Sequence, residues 1–215
     1  MASSGHGLIS PPAAFKAMEL HLIRHPRPDV APGICYGQTD VGLAECPATV
    51  ADRLRPLLPE SFALHASPLS RARLLAEALG KPRLDDRLKE IHFGDWEGRS
   101  FDDIGAAIDD WAADPLGFRA PGGESPREMA ARVLAWLAEQ GNRGQTPISS
   151  EIGVCPLFRH PEHLVVVAHG GPLRAIAGHL LGMPPERWLG LDFGCGQVTR
   201  IDVESWGVVL KWFNR

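Results

Sequence analysis

Leu164-Val165-Val166-Val167-Ala168-His169-Gly170-Gly171-Pro172-Leu173 is the stretch that decides the fold. Five apolar residues in a row, three of them valine, suit a strand buried on both faces of a parallel sheet. The run stops at His169 and two glycines. Beyond it Leu173, Ile176, Ala177, Leu180 and Leu181 recur at i, i+3, i+4, i+7 and i+8, the stripe of an amphipathic helix, which Gly182 and Pro184 bring to an end. In open α/β sheets a turn of this kind lies at the carboxyl edge of the strands, where ligands bind.

The same order recurs upstream. Met18 to Ile23 reads as a strand that ends at Arg24-His25 and enters a proline-rich loop. Phe62 to Ala66 is a second short strand, followed by Ser67-Pro68 and a helix from Leu69 that Gly80 stops and Pro82 blocks. Three strand–loop–helix units predict an α/β fold with a mostly parallel sheet. Further helices are expected over Asp102 to Ala113 and Ser125 to Gln140. The second opens with Ser125-Pro126-Arg127-Glu128, a capping box with proline at the first helical position. Gln197 to Val203 and Gly207 to Phe213 alternate as a closing hairpin.

Composition narrows the function classes. The 215 residues carry Lys+Arg 22 against Asp+Glu 26, a net charge of −4, without the clustered basic face that a nucleic-acid binder needs. Hydrophobic residues at 44% provide for a real core. The longest apolar run is too short for a membrane span. Residues 1–17 lack the regions of a secretory signal and read as a flexible extension, with Met18 as an alternative start. Cys35, Cys46, Cys155 and Cys195 form no CxxC pair, which points away from zinc and disulfide frameworks and toward the cytoplasm. Residues 141–160 carry little periodicity and read as an inserted surface loop, a lid or, by preference, a disordered segment.

Arg24-His25, Arg71 and His169-Gly170-Gly171 all fall at one edge of the expected sheet. Two guanidinium forks and helix N-termini suit a dianionic phosphoryl group. Two imidazoles without a metal motif suggest covalent catalysis, in which a neutral histidine attacks phosphorus. Glu90, with Asp95 and Glu97 as alternatives, offers the acid that a departing alkoxide needs. His160 and His163 form an HxxH beside Pro161 with no third ligand in view, so no metal or other cofactor is expected. Arg73 reads as a solvated helix residue, Phe93, Trp96, Trp111 and Phe118 as core or wall, and His21, His65, His92 and His179 as packing or surface residues.

Six pieces taken together resemble the histidine phosphatase (phosphoglycerate mutase-like) superfamily over residues 18–215. They are Leu22-Ile23-Arg24-His25, Tyr36-Gly37-Gln38-Thr39-Asp40, Ser67-Pro68-Leu69-Ser70-Arg71-Ala72, Leu88-Lys89-Glu90 with Phe93 to Gly98, Pro121-Gly122-Gly123-Glu124-Ser125, and Ala168-His169-Gly170-Gly171. The resemblance implies a single domain, a three-layer α/β/α sandwich with a small helical cap. It also implies His25 as nucleophile, Arg24, Arg71 and His169 as the phosphate clamp, Glu90 as proton donor, and Gly170, Thr39 and Gln38 as pocket residues. Two positions depart from the family pattern: Pro26 stands where glycine is usual and Ala31 where asparagine is usual, and each removes a donor.

Between Arg99 and Ala120 the chain has Arg99 and Arg119 against Asp102, Asp103, Asp109, Asp110 and Asp114. A rim of that sign disfavours a bisphosphoglycerate, so hydrolysis of a small-molecule phosphomonoester is expected rather than mutase chemistry. Within the family, Cys35 to Asp40 and Phe93 to Gly98 look most like the α-ribazole-5′-phosphate phosphatases of cobalamin nucleotide-loop assembly. The alternatives are a broader sugar or metabolite phosphatase, a phosphoglycerate mutase, and a catalytically silent phosphate-binding module, each as a monomer or homodimer.

Overall fold

The computed structural model describes residues 17–142 and 162–215. The N-terminal extension, Cys155, His160 and nearly all of the expected loop at 141–160 lie outside them. In chain order the elements are β1 (Met18–Arg24), α1 (Pro47–Leu54), β2 (Ala63–Ala66), α2 (Ser70–Leu79), β3 (Arg83–Leu84), α3 (Phe101–Ile104), α4 (Ala107–Ala113), α5 (Pro126–Asn142), β4 (His163–Ala168), α6 (Gly170–Leu180), β5 (Val198–Glu204) and β6 (Gly207–Trp212).

The strands form one sheet in the order β3-β2-β4-β1-β5-β6. β3, β2, β4 and β1 pair in parallel, and the closing hairpin adds β5 antiparallel to β1 with β6 outside it. Alternation along the central strands builds two apolar layers. Leu164, Val166 and Ala168 join Leu20 and Leu22 under Val133, Trp136 and Leu137 of α5 and Leu173 and Ile176 of α6. Val165 and Val167 join Ile23 on the other face, under α1 and α2 through Val50, Leu54, Ala72 and Leu75. Each of the buried Val, Leu and Ile side chains in these layers contributes about 1.5–3 kcal/mol. The result is the three-layer α/β/α sandwich with a mostly parallel sheet.

A third cluster, Cys35, Trp96, Ile104 and Ala120 with Phe93, Trp111 and Phe118 against it, makes the small helical cap. One expected helix divides here: Asp102 to Ala113 becomes α3 and α4, because Gly105 takes φ +63° between them. Among the described residues no helix is long and apolar enough to cross a membrane. Cys35, Cys46 and Cys195 are free thiols, and His163 pairs with Glu19 at 3.1 Å.

Candidate active site

Sheet register assembles the site. Arg24 pairs with Ala168 and Ala66 with Val167, so the carboxyl ends of β1, β4 and β2 deliver His25, His169 and Ser67 side by side. The His25 and His169 rings lie 5.1 Å apart. Arg71, in the first turn of α2, is completely buried beside them.

His25 Nδ1 lies 2.7 Å from the carbonyl oxygen of Pro26. A carbonyl only accepts, so Nδ1 carries the proton and Nε2 keeps the lone pair. Burial pushes the imidazole down to about 3; the Pro26 bond opposes this, and Arg71 and Arg24 add to it. The ring is therefore neutral at physiological pH. Pro26 lacks the backbone donor that a glycine would have, yet supplies the carbonyl that orients the His25 ring. Ala31 is exposed and lines a neighbouring cavity beside Cys35 and Tyr36.

The arginines keep donors in reserve. Arg24 gives Nη1 to the Phe193 carbonyl at 2.6 Å, while its buried Nε has no partner among the described residues. A buried charged donor without an acceptor is costly until an anion supplies one. Arg71 spends three of five N–H groups on the protein: Nε to His169 Nδ1 at 3.2 Å, Nη1 to Thr39 O at 2.9 Å and Nη2 to Gly37 O at 2.5 Å. Two remain. The Tyr36 ring sits 5.4 Å from its guanidinium carbon.

Glu90 and Glu97 have different surroundings. Glu97 accepts from the amides of Gln38, Thr39 and Phe93 and from the Thr39 hydroxyl. Burial pushes its carboxyl up, but these bonds outweigh burial and leave it below the ordinary value, which makes it a poor acid. Glu90 lines the cavity, its carboxylate accepting from Ile91 N at 2.9 Å and Gly171 N at 3.2 Å. A Cβ on Gly171 would stand 2.3 Å from Glu90 Oε1, so only glycine lets the carboxylate cover the start of α6.

Some expected pocket residues bond within the protein. The Thr39 hydroxyl is committed to Glu97, and Gln38 Nε2 donates to the Glu90 carbonyl at 3.1 Å. Neither residue, nor Gly170, Arg71 or His169, lines the cavity of about 400 Å³ that holds Arg24, His25 and Glu90. Both ring nitrogens of His169 are engaged, Nδ1 with Arg71 and Nε2 with Ser67 Oγ at 2.8 Å.

Two residues with roles at the site carry no sequence motif of their own. Arg132 of α5 donates to the carbonyls of Arg87, Lys89 and Glu90 and pairs with Glu124, which fixes the backbone under Glu90. Arg174 of α6 gives Nε to the Leu191 carbonyl and lines the cavity. The only signal was their place in the motif-bearing helices.

Away from the charges the cavity wall is apolar: Phe101, Trp111, Leu116, Met129, Trp188 and Leu189. The five cap aspartates expected to form an acidic rim are exposed and line none of it. Asp103 bonds to the Ser100 hydroxyl, and Asp114 accepts from Gly117 N. The cap presents its ring side chains to the site and its carboxylates to water.

Residues 20–215 match the family model of the histidine phosphatase superfamily (branch 1). A glucosyl-3-phosphoglycerate phosphatase of Mycobacterium tuberculosis is 31% identical over 202 residues, 86% of this chain and 84% of that protein. A 2,3-bisphosphoglycerate-dependent phosphoglycerate mutase of Methylobacterium is 31% identical over 74% of this chain and 75% of its own length. The crystal structure of the alpha-ribazole phosphatase from Shigella flexneri superposes with TM-score 0.77 at 25% identity, covering 92% of this chain and 96% of that one.

Proposed function

The chain belongs to the histidine phosphatase superfamily, branch 1, and from that premise we propose that it hydrolyses a phosphomonoester through a phosphohistidine on His25. The observation that carries the reading is the free Nε2 lone pair of a neutral, buried His25 beside two arginines with unused N–H groups. In the first step Nε2 attacks phosphorus, the ester P–O bond breaks, and protonated Glu90 gives its proton to the leaving oxygen. In the second step Glu90 takes a proton from water, the resulting hydroxide attacks phosphorus, and the P–N bond breaks to release inorganic phosphate. Arg24 and Arg71 stabilise the charge spread over the transferring oxygens throughout.

For the substrate, the apolar wall favours an alcohol that carries a flat ring, since burying rings and aliphatic groups against it is favourable and burying a polyol without partners is not. Phe101 and Leu189, 46% and 51% exposed, would be covered by such a group. The apolar wall supports α-ribazole 5′-phosphate, a benzimidazole nucleoside ester, as the first reading. Arg174 in the same cavity supports a second reading, an ester bearing a carboxylate such as glucosyl-3-phosphoglycerate.

Phosphate release from these two esters and from 3-phosphoglycerate, measured in chelator for wild type and His25→Ala, tests both readings. A His25-dependent preference for the ribazole ester by tenfold or more is expected. A preference for the carboxylate ester would select the second reading, isomerisation of the glycerate without phosphate release would select a mutase, and no reaction with any ester would contradict hydrolysis.

A further inference from the structure

We propose that Ser67 is a positioning residue for phosphoryl transfer: its hydroxyl holds His169 in the Nε2–H tautomer, and the lone pair left on Nδ1 aims the Arg71 guanidinium at the phosphoryl group. The proposal rests on the phosphatase reading of the site and concerns a side chain with no direct contact to the cavity.

Geometry settles the protons. Arginine Nε is always a donor, so His169 Nδ1, 3.2 Å from it, accepts. A neutral imidazole that accepts at Nδ1 carries its proton on Nε2, and the group facing Nε2 is Ser67 Oγ at 2.8 Å. Ser67 is itself pinned. It is fully buried, its N–H donates to the Val167 carbonyl at 3.0 Å, and its Oγ accepts from Leu69 N at 3.3 Å. The hydroxyl thus sits at the end of β2 at a fixed height beside β4, one residue from the register that brings His25 and His169 together.

Without that oxygen the Nε2 proton has no acceptor in a buried place. The remaining option for the neutral ring is to carry the proton on Nδ1, where it opposes the Arg71 Nε–H. Among the described residues, the hydrogen bonds left to Arg71 would be those to the carbonyls of Thr39 and Gly37, both at its Nη end, and the fork would be free to pivot about them. His169 has no ring nitrogen to spare for the phosphoryl group in this arrangement, so its influence passes through Arg71.

The test combines ¹⁵N-histidine NMR, binding of inorganic phosphate, and hydrolysis of p-nitrophenyl phosphate, for wild type, Ser67→Ala and Ser67→Thr. Wild type should show His169 protonated on Nε2. Ser67→Ala should lose that signature, bind phosphate about tenfold more weakly and fall about 10–100-fold in kcat/KM, the range typical when a partner that orients a functional histidine is removed. Ser67→Thr, which keeps the hydroxyl, should recover both. Protonation on Nδ1 in wild type overturns the proposal whatever the variants do. So does a Ser67→Ala protein with an altered tautomer but unchanged phosphate affinity and turnover. An inactive wild type that still shows the Nε2–H tautomer and Ser67-dependent phosphate binding contradicts hydrolysis while supporting the positioning role.

Discussion

Glu90 and Glu97 stand seven residues apart in one motif and differ in what surrounds them. Three donors from Gln38 and Thr39, with Phe93 N beside them, commit Glu97 to holding the Gln38-Thr39 loop, and that loop holds Arg71. Glu90 faces the cavity. Glu90→Gln should lower kcat for alkyl phosphates by about 10²–10⁴, and far less for p-nitrophenyl phosphate, whose leaving group departs without a proton. Steady-state rates on the two ester classes check this, and equal losses on both would argue for a role in binding instead. The convergence of His25, Arg24, Arg71 and His169 at one sheet edge is legible in the sequence because each lies at a strand end or in the helical turn that follows it. Thr39 and Gln38, expected as pocket groups, bond to Glu97 and to the Glu90 carbonyl, and nothing in a linear motif tells a hydroxyl that faces substrate from one that faces Glu97. Arg132 and Arg174 act across space from helix interiors, and spacing alone does not distinguish them from solvated residues.

At the level of elements, strong periodicity and explicit caps are legible in the sequence. Ser125 Oγ accepts from Glu128 N at 3.3 Å and Glu128 accepts in return from Ser125 N at 2.8 Å, with Pro126 opening α5. Ser125→Ala should cost about 1 kcal/mol of stability while kcat/KM stays within twofold; urea unfolding beside an activity assay measures both. Helix α1 went unread for a physical reason. It spans eight residues, its N-cap Cys46 makes no side-chain cap bond, and only Val50, Ala51 and Leu54 are buried. The break at Gly105 was masked by an apolar pattern, Ile104, Ala107, Ile108 and Trp111, that runs across it, although only a glycine accepts φ +63° there without strain. The acidic cap shows the same limit: its charge was countable, but whether aspartates or rings face inward depends on how two short helices pack.

For the molecule as a whole, three buried neutral histidines set the response to acid. Burial holds His25 near 3 and His21 near 4, with Arg200 and His163 adding to the fall at His21, and burial likewise holds His169 well below its ordinary value. All three titrate near 6.5 in the unfolded chain, so below that pH the unfolded state binds more protons and stability falls as pH drops from about 6.5 toward 4, by up to about 1.4 kcal/mol per unit for each histidine. Urea unfolding between pH 4.5 and 7.5 should show this slope. His21→Leu, which also removes a buried Nδ1 without a partner among the described residues, should flatten it by one histidine; an unchanged slope would contradict the assignment. The central claim is that the sheet register of β1 and β4 presents His25 as the nucleophile, and it is tested most directly by trapping the covalent enzyme. Millisecond mixing with labelled phosphomonoester and quenching in alkaline denaturant should leave one acid-labile, base-stable label per chain on His25, absent from His25→Ala. Turnover with no protein-bound label, or a label that survives His25→Ala, would contradict the account.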